Sequence, residues 1–473
     1  MSVKGGKTDP ARMVAAEVLI EVEEGGRFAN LVLPKALRTE QTRNRRFDFR
    51  DSAFTSELVY GTLRRQGLLD FALAKHCSKP LLSLDIPVLV SLRMGAYQLL
   101  YMRVADHAAV SETVEVARSL AGEGASKFVN AVLRSLQREG SEAVFARVAA
   151  IGDEQTRLAT KHSHPGWIVS DIREALRARG IDPNELGDAL EANNAAPRVT
   201  LVARPGLITA AELAQEAEDV LGVTTRQGSI SEYAVVLDEG GDPGALPSVR
   251  SGRAAVQDEG SQLAAILLAQ APVQGSDTRW LDMCAGPGGK SALLAALGSD
   301  RGVELIANEV NPRRARLVER SVQAVSNVTV TTSDGRDIKT DQLFDRVLVD
   351  APCLGLGSLR RRPESRWRHS RSDLDELIPL QEELLASGMR LTRPGGVIAW
   401  VTCSPHTAET LGQVQKVLDG GLVELVDAAA LAQAGSPDDL DLQTGDDIAA
   451  QTVQLWPHRH GTDAMFVALL RRM

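Results

Sequence analysis

The sequence predicts a multidomain chain: an all-α bundle at the N-terminus, a small α+β module in the middle and a C-terminal α/β domain built on a doubly wound sheet. Three observations predict it. At 473 residues the chain exceeds what one hydrophobic core supports, so two or three domains are expected. Apolar residues recur at three- and four-residue spacing from residue 8 to about 145, and strand-like and helix-like runs alternate from 256 to 473.

In the first segment the periodic positions include Val14, Val18 and Val22, then Phe54, Leu58 and Leu63, then Val88, Leu92, Ala96 and Leu99, and finally Phe128, Val132 and Leu136. Pro34, Pro80, Pro87 and the Gly122–Gly124 stretch punctuate them, so five to seven packed helices are expected. Residues 146 to 160 read as a helical linker. Residues 161–255 change character: a helical run opens at His164-Pro-Gly-Trp167, Asn193 to Pro197 makes a polar turn, and Arg198 to Val202 and Ala234 to Leu237 read as strands around a helix at Ala210 to Val220. This module is expected to touch RNA or brace the next domain, with Trp167 buried.

From residue 256 onward the strands read as Trp280 to Met283, a run ending at Glu309, Val328 to Thr332, Phe344 to Val349, Gly396 to Val401 and Met465 to Leu470. A long helix follows Ser372, whose spacing to Asp375 fits an N-terminal capping box.

Composition sets limits. Hydrophobic content of 44% and charged content of 24% are those of an ordinary globular protein. The N-terminus lacks an apolar signal region and no apolar stretch is long enough to span a bilayer, so a cytoplasmic protein without a membrane partner is expected. The four cysteines, Cys77, Cys284, Cys353 and Cys403, form no C-x-x-C pair; reduced thiols are expected, and no metal. The net charge of −9 speaks against a nucleic-acid partner, but a phosphate backbone needs only a local basic surface. Two basic stretches exist. Arg43, Arg45, Arg46 and Arg50 are diluted by Asp48 and Asp51, whereas Arg360, Arg361, Arg362, Arg366 and Arg368, with Arg371 beyond, face only Glu364 and are expected to contact RNA.

Residues 279 to 310 form one βαβ unit: an apolar run, a turn with Gly286, Gly288 and Gly289, a helical stretch, and a second run ending at Glu309. Glycines let such a turn approach a ligand, and a following acid can accept hydrogen bonds from ribose hydroxyls. Ser291 stands where a dinucleotide fingerprint needs its third glycine, and Cys284 where a P-loop needs its first. Both phosphate-binding readings fail, and an adenosine without phosphate, S-adenosyl-L-methionine, suits the pattern.

Glu309, Asp334, Asp350 with Cys353, and Cys403 all fall at strand ends, where the ligands of doubly wound sheets sit. Glu309 suits the ribose and Asp334 the adenine amino group. Thiols beside a methyl donor point to one reaction type. Carbon 5 of a pyrimidine is a weak nucleophile, so a thiolate first adds to carbon 6 and makes an enamine that accepts the methyl group. A base then removes the carbon 5 proton and the thiol leaves. Asp350 would hydrogen-bond the ring's amino and protonated N3 positions. On chemistry alone either Cys353 or Cys403 could add to the ring.

Asp282-Met-Cys-Ala-Gly-Pro-Gly-Gly-Lys290, Asp350-Ala-Pro-Cys353 and Thr402-Cys-Ser-Pro405 resemble the motifs of the Sun-type (nucleolar protein/Sun) family of RNA cytosine-5 methyltransferases. Leu58-Val-Tyr-Gly-Thr-Leu-Arg64, Leu92-Arg-Met-Gly-Ala-Tyr-Gln98 and Lys127-Phe-Val-Asn-Ala-Val-Leu-Arg134 resemble a NusB-like RNA-binding domain; Gly61, Arg64, Asn130 and Arg134 are the positions that plain helix packing explains least. The resemblance covers nearly the whole chain and implies a Rossmann-like S-adenosylmethionine-dependent methyltransferase domain acting on 16S ribosomal RNA. It further implies Cys403 as nucleophile, Cys353 in product release, and Cys284, Ala285, Gly286, Pro287, Gly288, Gly289, Lys290, Glu309, Asp334 and Asp350 around the cofactor. The chain departs from the family at Gly286, commonly Ala, and at Leu354 and Leu356, commonly Ser and Thr. DNA is not an expected partner. The alternatives are a transfer-RNA cytosine-5 methyltransferase and a non-catalytic NusB-like RNA-binding factor.

Overall fold

The computed structural model describes residues 8–473 apart from 239, 443, 444 and 446. The chain groups into two compact units: residues 1–170, 190–195 and 359–369 in the first, and 171–189, 196–358 and 370–473 in the second.

The first unit is helical, with helices Pro10–Gly25, Ala29–Arg43, Phe49–Ala74, Ile86–Tyr101, Asp106–Glu139, Ser141–Ala149 and Glu154–His162. Val14, Val18, Val22, Leu58, Leu63, Val88, Leu92, Ala96, Val132 and Leu136 are buried in one core, with Phe54, Leu99 and Phe128 packed against it. The expected breakers act unequally. Pro87 sits in the first turn of its helix, where a missing N–H costs nothing, whereas Pro34 lies inside Ala29–Arg43 and the helix runs through it. Gly122, at φ 84°, interrupts the helical geometry within Asp106–Glu139.

Two NusB-like stretches owe part of their pattern to close packing. A Cβ on Gly61 would overlap the Tyr97 ring, and one on Gly95 would overlap Leu133. Arg64 is buried, its guanidinium over the Tyr60 ring and donating to the Arg360 carbonyl at 3.1 Å. Gly61 and Arg64 are thus accounted for by packing; Asn130 is exposed and Arg134 half-buried.

The arginine-rich segment corrects an expectation. Arg366 is 0% exposed, and its guanidinium donates to the carbonyls of Arg64, Ser163 and Asn193 and to the Asn194 side-chain oxygen. Burial first, then the charges of Arg64 and Arg65, pull it down to about 9. Arg368 donates to the carbonyls of Val22, Gly26 and Arg27, satisfying the C-terminal end of the first helix. Glu364 accepts the Ala29 N–H at 2.8 Å and so caps the next helix, whose own N-cap, Phe28, makes no side-chain bond. Arg360 is buried as well, Arg361 is half-buried, and the exposed Arg362 stacks on Phe28 at 5.1 Å. Arg366, Arg360 and Arg368 therefore serve main-chain carbonyls or the interior rather than an open basic face. The stretch judged diluted, Arg43, Arg45, Arg46 and Arg50, is the exposed one.

The second unit holds two sheets. In the smaller, β1 (Thr200–Ala203), β2 (Thr225–Gln227), β3 (Ala234–Leu237) and β4 (Ala254–Val256) run antiparallel in the order β2-β3-β1-β4. Helix Ala210–Leu221 packs on it, opened by a capping box between Thr209 and Glu212. The larger sheet contains β5 (Arg279–Asp282), β6 (Glu304–Asn308), β7 (Val328–Thr331), β8 (Phe344–Asp350), β9 (Thr392–Thr402), β10 (Val423–Val426), β11 (Val453–Gln454) and β12 (Phe466–Arg472). Its order is β10-β12-β9-β8-β5-β6-β7, with β11 beside β12. Strands β5 to β9 are parallel; β10, β11 and β12 join antiparallel.

Both faces of this sheet are covered, so its central strands read as continuous apolar runs. Trp280, Ala399, Val401, Val467 and Leu469 lie in the core on one face, and Leu281, Ile398, Trp400, Phe466 and Ala468 in the core on the other. The sheet is doubly wound from β5: the chain goes out through β6 and β7, then returns to the opposite side through β8 and β9. The topological switch point therefore falls between β5 and β8. The helix expected after Ser372 starts later, at Leu374, behind a short turn at Arg371–Asp373, and Asp373 makes no side-chain cap bond, so no capping box forms.

Replacing Arg366 by Ala strands several buried carbonyls, and we expect the unfolding free energy to fall by about 2–4 kcal/mol in a denaturant titration. Lys, which lacks the planar fork, should not restore it. Arg45→Ala on the exposed stretch should change stability by less than about 0.5 kcal/mol.

Candidate active site

The site is assembled from the C-terminal ends of β5, β6, β7, β8 and β9 in the second unit. After β5 the chain turns through Gly286 (φ 57°) and Gly288 (φ 91°) into helix Gly289–Gly298. Both glycines hold left-handed conformations that a side chain would strain. At Gly288 the close neighbour is protein: a Cβ would lie 2.8 Å from the Val318 Cα and 2.9 Å from the Ser321 Cβ. The glycine expected to make room for a ligand here makes room for helix Pro312–Ser321, and the Ser321 hydroxyl donates to the Pro287 carbonyl at 2.7 Å.

Glu309 is buried and faces this turn: its Oε2 accepts the Gly286 N–H and its Oε1 the Asn311 N–H, both at 3.0 Å. A carboxylate has about four acceptor positions, so room remains for ribose hydroxyls. Asp334 accepts from the Arg336 backbone N–H at 2.9 Å and from its guanidinium at 2.7 and 3.0 Å; these bonds, the side-chain ones foremost, pull its pKa below the usual value. The pair is partly exposed, and such pairs rearrange at little cost.

Sequence reasoning passed over Asn308. It is fully buried; its amide donates to the Met283 carbonyl at 3.1 Å and to the Ser333 carbonyl at 2.9 Å. Its Oδ1 accepts from the Thr331 hydroxyl and from the Ser333 N–H and hydroxyl. One side chain thus ties together the ends of β5, β6 and β7. A polar residue ending the apolar run Leu305–Ala307 was the available signal.

Asp282, the final residue of β5, was also missed as a titrating group. It is 1% exposed, accepts the Ser291 hydroxyl at 2.6 Å, and is pushed up to about 7, chiefly by burial and further by Asp350. Ser291, which breaks the dinucleotide fingerprint, is therefore the partner of this acid. The Cys284 thiol is pushed upward, first by burial and then by the charges of Asp282, Asp350, Glu309 and Asp334. Four carboxyl groups thus act on one turn.

Across the switch point, Asp350 ends β8 and its Oδ2 accepts from the Lys290 ammonium at 2.8 Å. Burial pulls Lys290 down, but the charge and hydrogen bond of Asp350 and the charge of Cys403 carry it above its ordinary value. Strand β9 pairs with β8 so that Asp350 lies opposite Val401, and the Ala351 N–H donates to the Val401 carbonyl at 3.0 Å. The loops leaving these two strand ends bring Cys353 Sγ and Cys403 Sγ to 3.4 Å, neither in a disulfide. The loop after Cys353 is fastened from both sides: the Gly357 N–H donates to the Cys403 carbonyl, and the Ala464 N–H to the Gly357 carbonyl, each at 2.9 Å. A Cβ at Gly357 would overlap the Ala464 carbonyl oxygen. Leu354 and Leu356, the departures from the family pattern, are both buried in this loop.

The structure thus brings the Gly286–Lys290 turn, Glu309, Asp350, Cys353 and Cys403 to adjoining strand ends of one sheet, with Asp334 three residues beyond the end of β7. Arg360, Arg361, Arg362, Arg366 and Arg368 fall in the other unit. Among the described residues no His, Cys, Asp and Glu cluster suited to a metal ion occurs, and no helix is long and apolar enough to cross a membrane.

For Asp282, an acid whose folded value lies above its unfolded one of about 4, the linked stability is full below about pH 4 and is lost as pH rises through about 7. Asp282→Asn should flatten the stability profile over that window, as read by thermal unfolding at a series of pH values.

Comparison with known proteins agrees with this architecture. Residues 267–471 match the family model described as 16S rRNA methyltransferase RsmB/F, and residues 9–138 match that of the NusB family. A Mycobacterium tuberculosis protein provisionally called a methyltransferase is 45% identical over 98% of this chain and 97% of its own. The ribosomal RNA small subunit methyltransferase B of Sodalis glossinidius is 31% identical over 97% of this chain and 96% of its own. One solved crystal structure shares the fold across 99% of this chain and all of its own, with a TM-score of 0.80 at 22% identity. A NusB-type helical domain joined to a doubly wound α/β methyltransferase domain, matched over nearly the full length of such relatives, makes this chain a member of the 16S rRNA methyltransferase RsmB/F family.

Proposed function

We propose that the protein methylates carbon 5 of a cytosine in 16S ribosomal RNA, using S-adenosylmethionine and a covalent adduct between Cys403 and carbon 6. The observation that carries this reading is the pair of thiols 3.4 Å apart just beyond the ends of β8 and β9, with the Asp350–Lys290 pair at the end of β8. A single thiol serves many chemistries; two in contact at a ligand-binding sheet edge suit one to add and one to assist departure. The names of the full-length relatives favour small-subunit ribosomal RNA as the substrate over transfer RNA.

The residues fit the cofactor. Glu309 has acceptor capacity for ribose, Asp334 can meet the adenine amino group, and residues 284–290 form the intervening turn. Four carboxyl groups acting on Cys284 would repel a phosphate and favour a cationic ligand. Bound S-adenosylmethionine would supply an electrophilic methyl group on a sulfonium.

The protein's own groups do the rest. The Cys403 thiolate adds to carbon 6, and the C5=C6 electron pair is displaced toward carbon 5. Asp350, held by Lys290, accepts hydrogen bonds from the amino group and from a protonated N3, so that the proton on N3 offsets the charge that the addition develops there. After methylation the carbon 5 proton is removed, the double bond reforms, and the C–S pair returns to Cys403 with Cys353 at its side. We assign residues 8–145 to binding RNA and residues 161–255 to binding RNA or bracing the catalytic domain at 256–473. Of the five arginines expected at RNA, Arg361 and Arg362 keep that role in our reading.

Cys403→Ala should lower transfer of labelled methyl to 16S RNA, taken from a strain lacking the enzyme, by at least about 10³-fold. Full activity in that variant overturns the assignment. Bisulfite sequencing with and without the protein locates the base, and preference for transfer RNA as acceptor would move the substrate. Replacing Arg361 and Arg362 by Ala should reduce the slope of log affinity against log salt by about 1 to 2; an unchanged slope removes them from the interface.

A further inference from the structure

Glu409 lies six residues after Cys403, in the short turn Thr407–Glu409, and is 0% exposed. Its Oε1 accepts the Leu354 N–H at 2.9 Å and the Gln381 amide at 3.0 Å. The same Gln381 amide nitrogen donates to the Pro352 carbonyl at 2.9 Å. The residues on both sides of Cys353 are therefore held by one carboxylate–amide unit. The Trp400 indole N–H, donating to the Glu409 carbonyl at 3.1 Å, fixes the turn that carries it.

The other oxygen, Oε2, is buried with no hydrogen-bond partner. A glutamine at this position could accept the Leu354 N–H without burying a charge, and an unsatisfied carboxylate oxygen is expensive inside a protein. Holding the loop does not by itself account for an acid here.

We propose that Glu409 is a positioning residue that gives the two thiols unlike roles: it holds Cys353 as the neutral, proton-donating partner and leaves the thiolate to Cys403. The proposal rests on the cytosine reading above. Cys353 is pushed well above the usual thiol value by its hydrogen bond to Cys403 first, then by burial, by the charge of Cys403 and by that of Glu409. The Lys290 ammonium, which donates to Asp350 at 2.8 Å, owes part of its upward shift to the charge of Cys403. The Glu409 carboxylate, which accepts the main-chain N–H of the residue after Cys353, adds negative charge on one side of an otherwise symmetric pair.

The division suits release. As the bond between carbon 6 and the Cys403 sulfur breaks and the sulfur keeps the electron pair, the Cys353 S–H proton passes to it across 3.4 Å. The Cys353 thiolate so formed takes the carbon 5 proton, and the C–H electron pair becomes the C5=C6 double bond. Both sulfurs end as thiols, and Cys403 loses its proton to solvent before the next addition.

The test is alkylation of the full chain by iodoacetamide, mapped by mass spectrometry across pH, in a Cys403→Ser background so that Cys353 reports alone. With Glu409 in place, the Cys353 midpoint should lie above the ordinary thiol value of about 8.5. Adding Glu409→Gln should move the midpoint down and raise labelling at pH 8 about tenfold. Gln381→Leu, which loosens the clamp but keeps the charge, should leave the midpoint where it was. An unchanged midpoint in Glu409→Gln, or an equal fall in Gln381→Leu, overturns the proposal. So does a midpoint at or below the ordinary value in the Cys403→Ser chain, which decides the matter even if Glu409→Gln does not fold. Because labelling needs no RNA, a wild-type protein that methylates no cytosine would refute the reaction while leaving the role of Glu409 separately measurable.

Discussion

The pairing of β8 with β9 is the constraint on which the site depends. Parallel neighbours that end in register, as these do from Arg346 opposite Val397 to Asp350 opposite Val401, send their following loops out side by side, and here the loops carry Cys353 and Cys403. A slip of one residue would turn each strand's side chains to the opposite face and bury the wrong set. What opposes a slip is the alternation itself: Ile398 and Trp400 belong to one core, Val397, Ala399 and Val401 to the other. The main-chain bonds from Gly357 to Cys403 and from Ala464 to Gly357 carry that register one step beyond the sheet. Separation of the sulfurs is thus set by backbone and packing, which is what chemistry at ångström precision requires.

Electrostatics is layered on this frame. Carboxyl groups from β5, the ends of β6 and β8, and the turn after β7 converge on one turn, while Lys290 is the ammonium set against Asp350. Burial, and to a smaller extent the charge of Asp350, push one of them, Asp282, up to about 7, with Ser291 as its hydrogen-bond donor.

The fold class was legible because apolar period alone distinguishes a helical bundle from alternating strands and helices, and Val14-Val18-Val22 and Trp280–Met283 are unambiguous in that respect. Strand ends carrying acids and thiols were equally readable. Partners distant in sequence were not. Nothing local to Glu409 says that it will meet Leu354 and Gln381, and nothing local to Asn308 says that it will join three strands. Short strands such as β2, β10 and β11 also escaped, because two to four residues carry too little pattern to separate from loop. The arginine segment misled for a related reason: charge density in sequence says nothing of burial, and a guanidinium with five donors can serve a cluster of carbonyls as readily as phosphates.

The helical unit is discontinuous in the chain, since residues 190–195 and 359–369 belong to it. On the ribosome, synthesis proceeds from the N-terminus, so the bundle emerges long before the fastening that Glu364, Arg366 and Arg368 provide. Until residue 369 has cleared the exit tunnel, two helix termini and a set of inward-facing carbonyls wait for their donors and acceptor. A fragment cut at residue 170 would carry that incompleteness permanently, so isolating the N-terminal bundle by truncation yields a looser body than the one the whole polypeptide builds.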